Sequence, residues 1–235
     1  MDFNLKEHFP EGIQISASSP EIQAVANKIY EESVDFFNKH KFHLAAYASI
    51  NAIKLGSVDA LPFLAYMLTE DRPGVPRDID GAIMLASYGK DKGCHDCKTI
   101  YALCSHMHSL LLVPEEEVLS MILRSSEAGS KYGMYEHAFL LNHGMFIRKD
   151  RQKMLELMKR AGEMGHYNAL YHLGLYYSYL DRTFKDEIVP TEEEQEQETK
   201  LAEHYFKKAV SCGCLNSARR LQEKHCWGRG YWHLD

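Results

Sequence analysis

The chain has 235 residues, 45% of them hydrophobic and 26% charged, ordinary globular composition for one well-buried domain or two small ones. Its net charge of −6 disfavours a general binder of nucleic acid or anionic membrane. No apolar run approaches the roughly 18 residues a membrane span needs. The opening MDFNLKEHFPEGIQ lacks the apolar core of a secretory signal. Six cysteines without such a signal fit a reducing compartment, so the expected location is cytoplasmic or nuclear.

In chain order, residues 1–17 read as an extended, flexible segment. A helix then begins with Ser19 as N-cap and Pro20 in its first turn. It pairs with a helix from about His43 to Leu55, giving a capping hairpin over 18–55. Beyond it, five segments align on Gly56, Gly93, Gly129, Gly165 and Gly213, spaced 37, 36, 36 and 48 residues apart. Four residues before each glycine stand Ala52, Gly89, Ser125, Ala161 and Ala209. Four after stand Ala60, Cys97, Gly133, Ala169 and Ser217, and nine after stand Ala65, Ala102, Ala138 and Gly174. Small residues recurring beside a turn glycine let two antiparallel helices approach closely. Each glycine therefore reads as the C′ residue between two helices.

The second helix of each unit is also apolar at helical spacing (Leu85 and Ala86, Met121 and Ile122, Leu157 and Met158, Tyr205 and Phe206), and strand signals are nearly absent. The fold class is all-α, an α-solenoid of stacked antiparallel helix hairpins over 18–225. Repeats start at about 57, 93, 129 and 165, with a capping helix from about 214. The longest interval holds an acidic insertion around 181–200, in which Pro190 breaks the chain and Thr191 caps a Glu-rich helix start. The tail 226–235 carries both tryptophans, Trp227 and Trp232, either as a fold-back cap or as a docking motif for another protein.

The residues NALYHLGLYY and GVPRDIDGA resemble the two halves of a Sel1-like repeat. Ala169, Leu173, Gly174 and Tyr177 match the first half; Gly74, Val75, Asp78, Ala82 and Gly93 match the second. The resemblance covers about Ala45 to Arg220. It implies a right-handed superhelix related to other helical-hairpin repeats, and a role as an adaptor or scaffold in protein–protein interaction. Disulfide-linked relatives of that kind place paired cysteines in every repeat, a regularity this chain lacks.

The stretch GCHDCKTIYALCSHMH concentrates cysteine and histidine, with Cys94, Cys97, Cys104, His106 and His108 as ligands a zinc ion would use. The repeat register argues for packing instead. Cys97 occupies the small position of Ala60 and Ala169, and a free cysteine behaves there as a small hydrophobe. Cys97 and Cys104 share a helix face, whereas His106 lies roughly 200° round from Cys104. No metal and no cofactor is expected. No phosphate loop, Gly-x-Ser-x-Gly or His-Glu-x-x-His pattern occurs, so the chain is read as non-enzymatic.

The first helix of each unit is expected to line a concave groove with positions three, six, ten and thirteen past its glycine. These are Asp59, Pro62, Tyr66 and Thr69; Asp96, Thr99, Leu103 and His106; Tyr132, Tyr135, Phe139 and Asn142; Asn168, Tyr171, Leu175 and Ser178; and, from the cap, Asn216 and Arg219. Tyrosines with Asn and Asp suit peptide recognition. The expected function is a scaffold that holds a protein or peptide partner, without nucleic acid or membrane. A metal-assisted enzyme built on residues 94–108 and a structural subunit of a larger complex are the alternatives.

Overall fold

The computed structural model describes residues 3–15, 19–107, 113–178 and 191–223. Among these residues the regular structure is helical, with one isolated bridge between Arg72 and Val75. A short α1 (Leu5–His8) precedes α2 (Pro20–Asn38) and α3 (Phe42–Lys54). Then come α4 (Ala60–Met67), α5 (Ile79–Asp91), α6 (His95–Met107) and α7 (Glu115–Glu127). They are followed by α8 (Lys131–His143), α9 (Arg151–Glu163), α10 (Tyr167–Tyr177), α11 (Glu192–Ser211) and α12 (Leu215–Gln222). The chain divides into two compact units, Met1–Gly133 and Met134–Asp235.

The aligned glycines make the turns. All five have positive φ, between 81° and 109°, where a side chain is strained. Around each, the glycine N–H donates to the carbonyl three residues back, and the next N–H donates to the carbonyl of the small residue four before the glycine. Thus Gly56 donates to Ile53 and Ser57 to Ala52, and likewise Gly129 to Ser126 and Ser130 to Ser125. This paired pattern satisfies helix-end carbonyls and reverses the chain in two residues. After the four later glycines the next residue becomes the N-cap of the following helix, whereas after Gly56 helix α4 starts only beyond Asp59. Ser130 Oγ accepts from Gly133 N at 2.9 Å, and His166 Nδ1 accepts from Ala169 N at 3.2 Å.

In the first unit, α2 and α3 are joined by a buried chain of hydrogen bonds. Ser33 Oγ lies 2.7 Å from Ser49 Oγ and donates to the Ala45 carbonyl at 2.8 Å. The loop before α5 folds back on itself: Asp78 N donates to the Leu68 carbonyl, and Val75 is fully buried. Asp78 Oδ1 accepts from Gly81 N at 2.9 Å and so caps α5. Arg72, buried beside this loop, pairs with Glu70 at 2.8 Å and lies over the rings of Phe37 and Phe42. Helix α6 meets α5 where Gly89 leaves room for the Cys97 sulfur.

The N-terminal segment departs from the expectation of a flexible 1–17. Residues 3–15 bury Phe3, Leu5, Phe9 and Ile13. Phe3 and His8 meet Tyr47 on α3, Lys54 lies over the Phe9 ring, and Leu5 reaches Gly81 at the start of α5. Four apolar side chains in eleven residues carry enough transfer energy to hold a short segment against two helices.

The second unit is built on Met134, Ala138 and Leu141 of α8, Met154, Leu157, Met158 and Ala161 of α9, and Ala169 and Leu173 of α10. A second cluster joins Leu175 of α10 to Ala202 and Phe206 of α11, with Gly174 seated on the Phe206 ring. Helix α11 opens with a reciprocal cap, in which Thr191 Oγ1 accepts from Glu194 N and Glu194 Oε2 accepts from Thr191 N.

Candidate functional site

The cysteine-rich segment lies at the start of α6. Cys94 follows the turn glycine, in the N-cap position that Ser130 and His166 fill elsewhere, and its Sγ accepts from Cys97 N at 3.4 Å. Cys94 is half-buried; Cys97 and Cys104 are buried. The Cys97 thiol hydrogen-bonds the Cys94 sulfur, and this brings the Cys94 thiol down to about 7 against the opposing effects of burial and Asp96. The same bond, with burial, pushes Cys97 up, and burial pushes Cys104 up to about 12. His106 is exposed. Among the described residues, no three His, Cys, Asp or Glu side chains are disposed to hold a metal ion. His108 lies outside the described residues.

The expected groove positions divide by burial. In the first unit Asp59 is exposed, and Asp96 and Leu103 are half-buried. Thr99 is buried and donates its hydroxyl to the His95 carbonyl at 3.3 Å. Tyr66 and Tyr132 are buried with ring centroids 4.6 Å apart. In the second unit Phe139, Asn168 and Tyr171 are half-buried and Arg219 is exposed. Tyr135, Asn142 and Leu175 are buried, with Tyr135 stacked on His166 at 4.4 Å and Leu175 in the Phe206 cluster. Tyr66, Thr99, Tyr132, Tyr135, Asn142 and Leu175 are therefore packing residues rather than open lining. A stacked helix is flanked on both sides as well as by its hairpin partner, so its open arc is narrower than a count along one helix suggests. Trp227 and Trp232 lie outside the described residues.

The open arc contains a residue the spacing argument passed over. Glu136, seven past Gly129 on α8, is half-buried, one helical turn from Phe139. Burial and the loss of hydration that comes with it push its carboxyl up to about 8. It has no hydrogen-bond or ionic partner among the described residues, and its raised value traces to burial alone. The sequence signal was a lone acid in the mostly apolar run MYEHAFLL.

No family model and no curated protein matches the sequence. Solved structures do. A Pseudomonas aeruginosa protein designated 5086 is 18% identical, with a TM-score of 0.50, over 93% of this chain and 74% of the other. A Sel1 repeat protein from Oxalobacter formigenes is 16% identical over 88% of this chain and 80% of its own, with a TM-score of 0.48. A putative Sel1 repeat protein from Klebsiella pneumoniae subsp. pneumoniae is 16% identical over 88% and 97%, with a TM-score of 0.49. The chain shares its fold with the first of these and is similar to the two Sel1 repeat proteins.

The first unit places Asp59 and Asp96 at the starts of α4 and α6, near the Tyr30 phenol of α2. Burial, with these two carboxylates, raises Tyr30 to about 12. Burial raises Asp96 as well, opposed by a hydrogen bond from Ser130 and the charge of Lys131. Asp96 is thus already engaged by its own fold. Glu136 is not, and Phe139 stands one turn further along the same helix. An acid without a partner next to an apolar surface can pair with a cation or donate to a carbonyl; it offers no nucleophile or redox group. No helix among the described residues is long and apolar enough to cross a membrane.

Proposed function

We propose that this chain is an adaptor of the cytoplasm or nucleus that binds a protein partner through an exposed peptide segment. In the second unit the segment lies along the open arc of α8 and α10. The observation that carries the reading is Glu136 beside Phe139. A carboxyl held in a recess without a partner costs hydration, and a partner's lysine or arginine restores the lost interaction. Phe139 supplies apolar area for the neighbouring side chain, and Asn168, in the same arc of the register, suits the peptide backbone.

The test is to pan a phage-displayed random peptide library against the whole chain and measure the winners by calorimetry. Enrichment of peptides pairing a basic with an apolar residue is expected. Glu136→Gln and Phe139→Ala should each weaken them about tenfold, a typical loss at an interface anchor. Pairing with a cation requires Glu136 to ionise, so affinity should rise between pH 6 and 8 and level off above. Unchanged affinity in both variants would remove this face from the reading.

A further inference from the structure

Two sulfurs meet at the start of α6 in a way that neither capping nor packing requires. Serine and histidine cap the equivalent helices through Ser130 and His166, and alanine fills the Cys97 position at Ala60 and Ala169. In this unit alone both positions carry a thiol. The backbone fixes each. Cys94 N donates to the Gly89 carbonyl at 3.0 Å, the Cys94 carbonyl accepts from Lys98 N at 3.0 Å, and Cys97 N donates to the Cys94 sulfur. Residues one turn apart at a helix start lie within the Cα separation a disulfide spans. The pair is also asymmetric, with Cys94 partly open to solvent and Cys97 buried against Gly89, whose missing side chain leaves the room its sulfur occupies.

We propose that Cys94 and Cys97 form a redox-active dithiol that exchanges with disulfide substrates, Cys94 attacking and Cys97 resolving. The start of a thirteen-residue helix favours negative charge on the Cys94 sulfur, and the Cys97 thiol hydrogen-bonds it. The Cys94 thiolate attacks one sulfur of a disulfide R–S–S–R. The S–S bond breaks, one RS⁻ departs, and a mixed disulfide Cys94–S–S–R forms. Cys97 gives its proton to the departing thiolate and attacks Cys94 Sγ, releasing the second RS⁻, which takes a proton from water. The two cysteine thiols are oxidised to one disulfide and the substrate disulfide is reduced to two thiols. This site is independent of Glu136 and of the partner reading built on it.

Equilibrating the whole chain in glutathione buffers, from fully reduced to fully oxidised, tests the proposal. After acid quench and alkylation, trypsin releases Gly93–Lys98, a hexapeptide holding both cysteines. The expected result is an internal disulfide in that peptide. Cys97→Ala, which places the residue of neighbouring repeats there and so keeps the packing, should instead trap glutathione on Cys94. Cys94→Ser should leave Cys97 unmodified. At pH 7 Cys94 should alkylate about tenfold faster than the half-buried Cys212, and Cys97→Ala should move the Cys94 rate midpoint upward from about 7. A hexapeptide that remains a dithiol in every buffer, or Cys94 alkylating no faster than Cys212, overturns the assignment.

Discussion

Glu136 ties its own titration to the stability of the fold. Its carboxyl stands near 8 in the folded chain against an ordinary value of 4.5, so the fold holds the proton more tightly than the unfolded chain does. A carboxyl raised in this way adds no cost below pH 4.5; its cost grows as pH rises from there and is complete above about 8. Glu136→Gln keeps the shape and removes the titration. Thermal melts should show the variant more stable than the parent by about 1 to 2 kcal/mol at pH 8.5, after allowing for the solvent on the open side of the residue. The gap should narrow on descending to pH 6. An equal gap at both values would mean that the carboxyl is not ionising within this window. The same residue marks the limit of the sequence reading at this scale. Counting three, six, ten and thirteen past a glycine treats each helix as having one wide exposed face. Burial of Thr99, Tyr135 and Leu175 shows neighbours closing in on it, and Glu136, at position seven, keeps its opening.

At the scale of elements the sequence was most legible where a backbone rule has only one solution. Positive φ at each aligned glycine, with small residues four before and four after, leaves little freedom, and the turn at Gly129 repeats that at Gly56. The N-cap role of the next residue was equally legible in principle, since Ser130, His166 and Cys94 all directly follow a glycine. It was obscured at Cys94 because a Cys-x-x-Cys spacing reads as a metal pair before it reads as a cap. The pairing of α2 with α3 was read from the sequence, but the buried Ser33–Ser49 contact between them is something the periodicity does not encode. Ser33 Oγ donates to the Ala45 carbonyl, so the shared proton comes from Ser49. Ser33→Ala strands that hydroxyl in the core and should cost about 1 to 2 kcal/mol in urea unfolding, whereas Ser33→Ala with Ser49→Ala should cost clearly less than the two single losses added together. Additive losses would mean that the two hydroxyls do not depend on each other.

For the whole molecule, the consequence of a repeat array is that each helix is held mainly by its immediate neighbours, so damage stays local. The N-terminal segment gives a clean case. Phe3, Leu5, Phe9 and Ile13 are buried, and their contacts run to Tyr47 and Lys54 of α3 and Gly81 of α5. Reading residues 1–17 as flexible missed this because the segment forms only the four-residue α1 and buries its side chains by draping over helices that already exist. Removing residues 1–15 exposes the apolar ground beneath them, at about 1.5 to 3 kcal/mol for each large side chain lost from a buried site. Hydrogen exchange on the shortened chain should therefore show α3 and the first turns of α5 exchanging at least about tenfold faster, the equivalent of 1.4 kcal/mol in local opening. Amides of α9 and α10, in the second unit, should keep their protection. Loss of protection spread evenly over all the helices would mean that the array unfolds as one cooperative block, in which case the segment stabilises the entire chain and not only the two helices it touches.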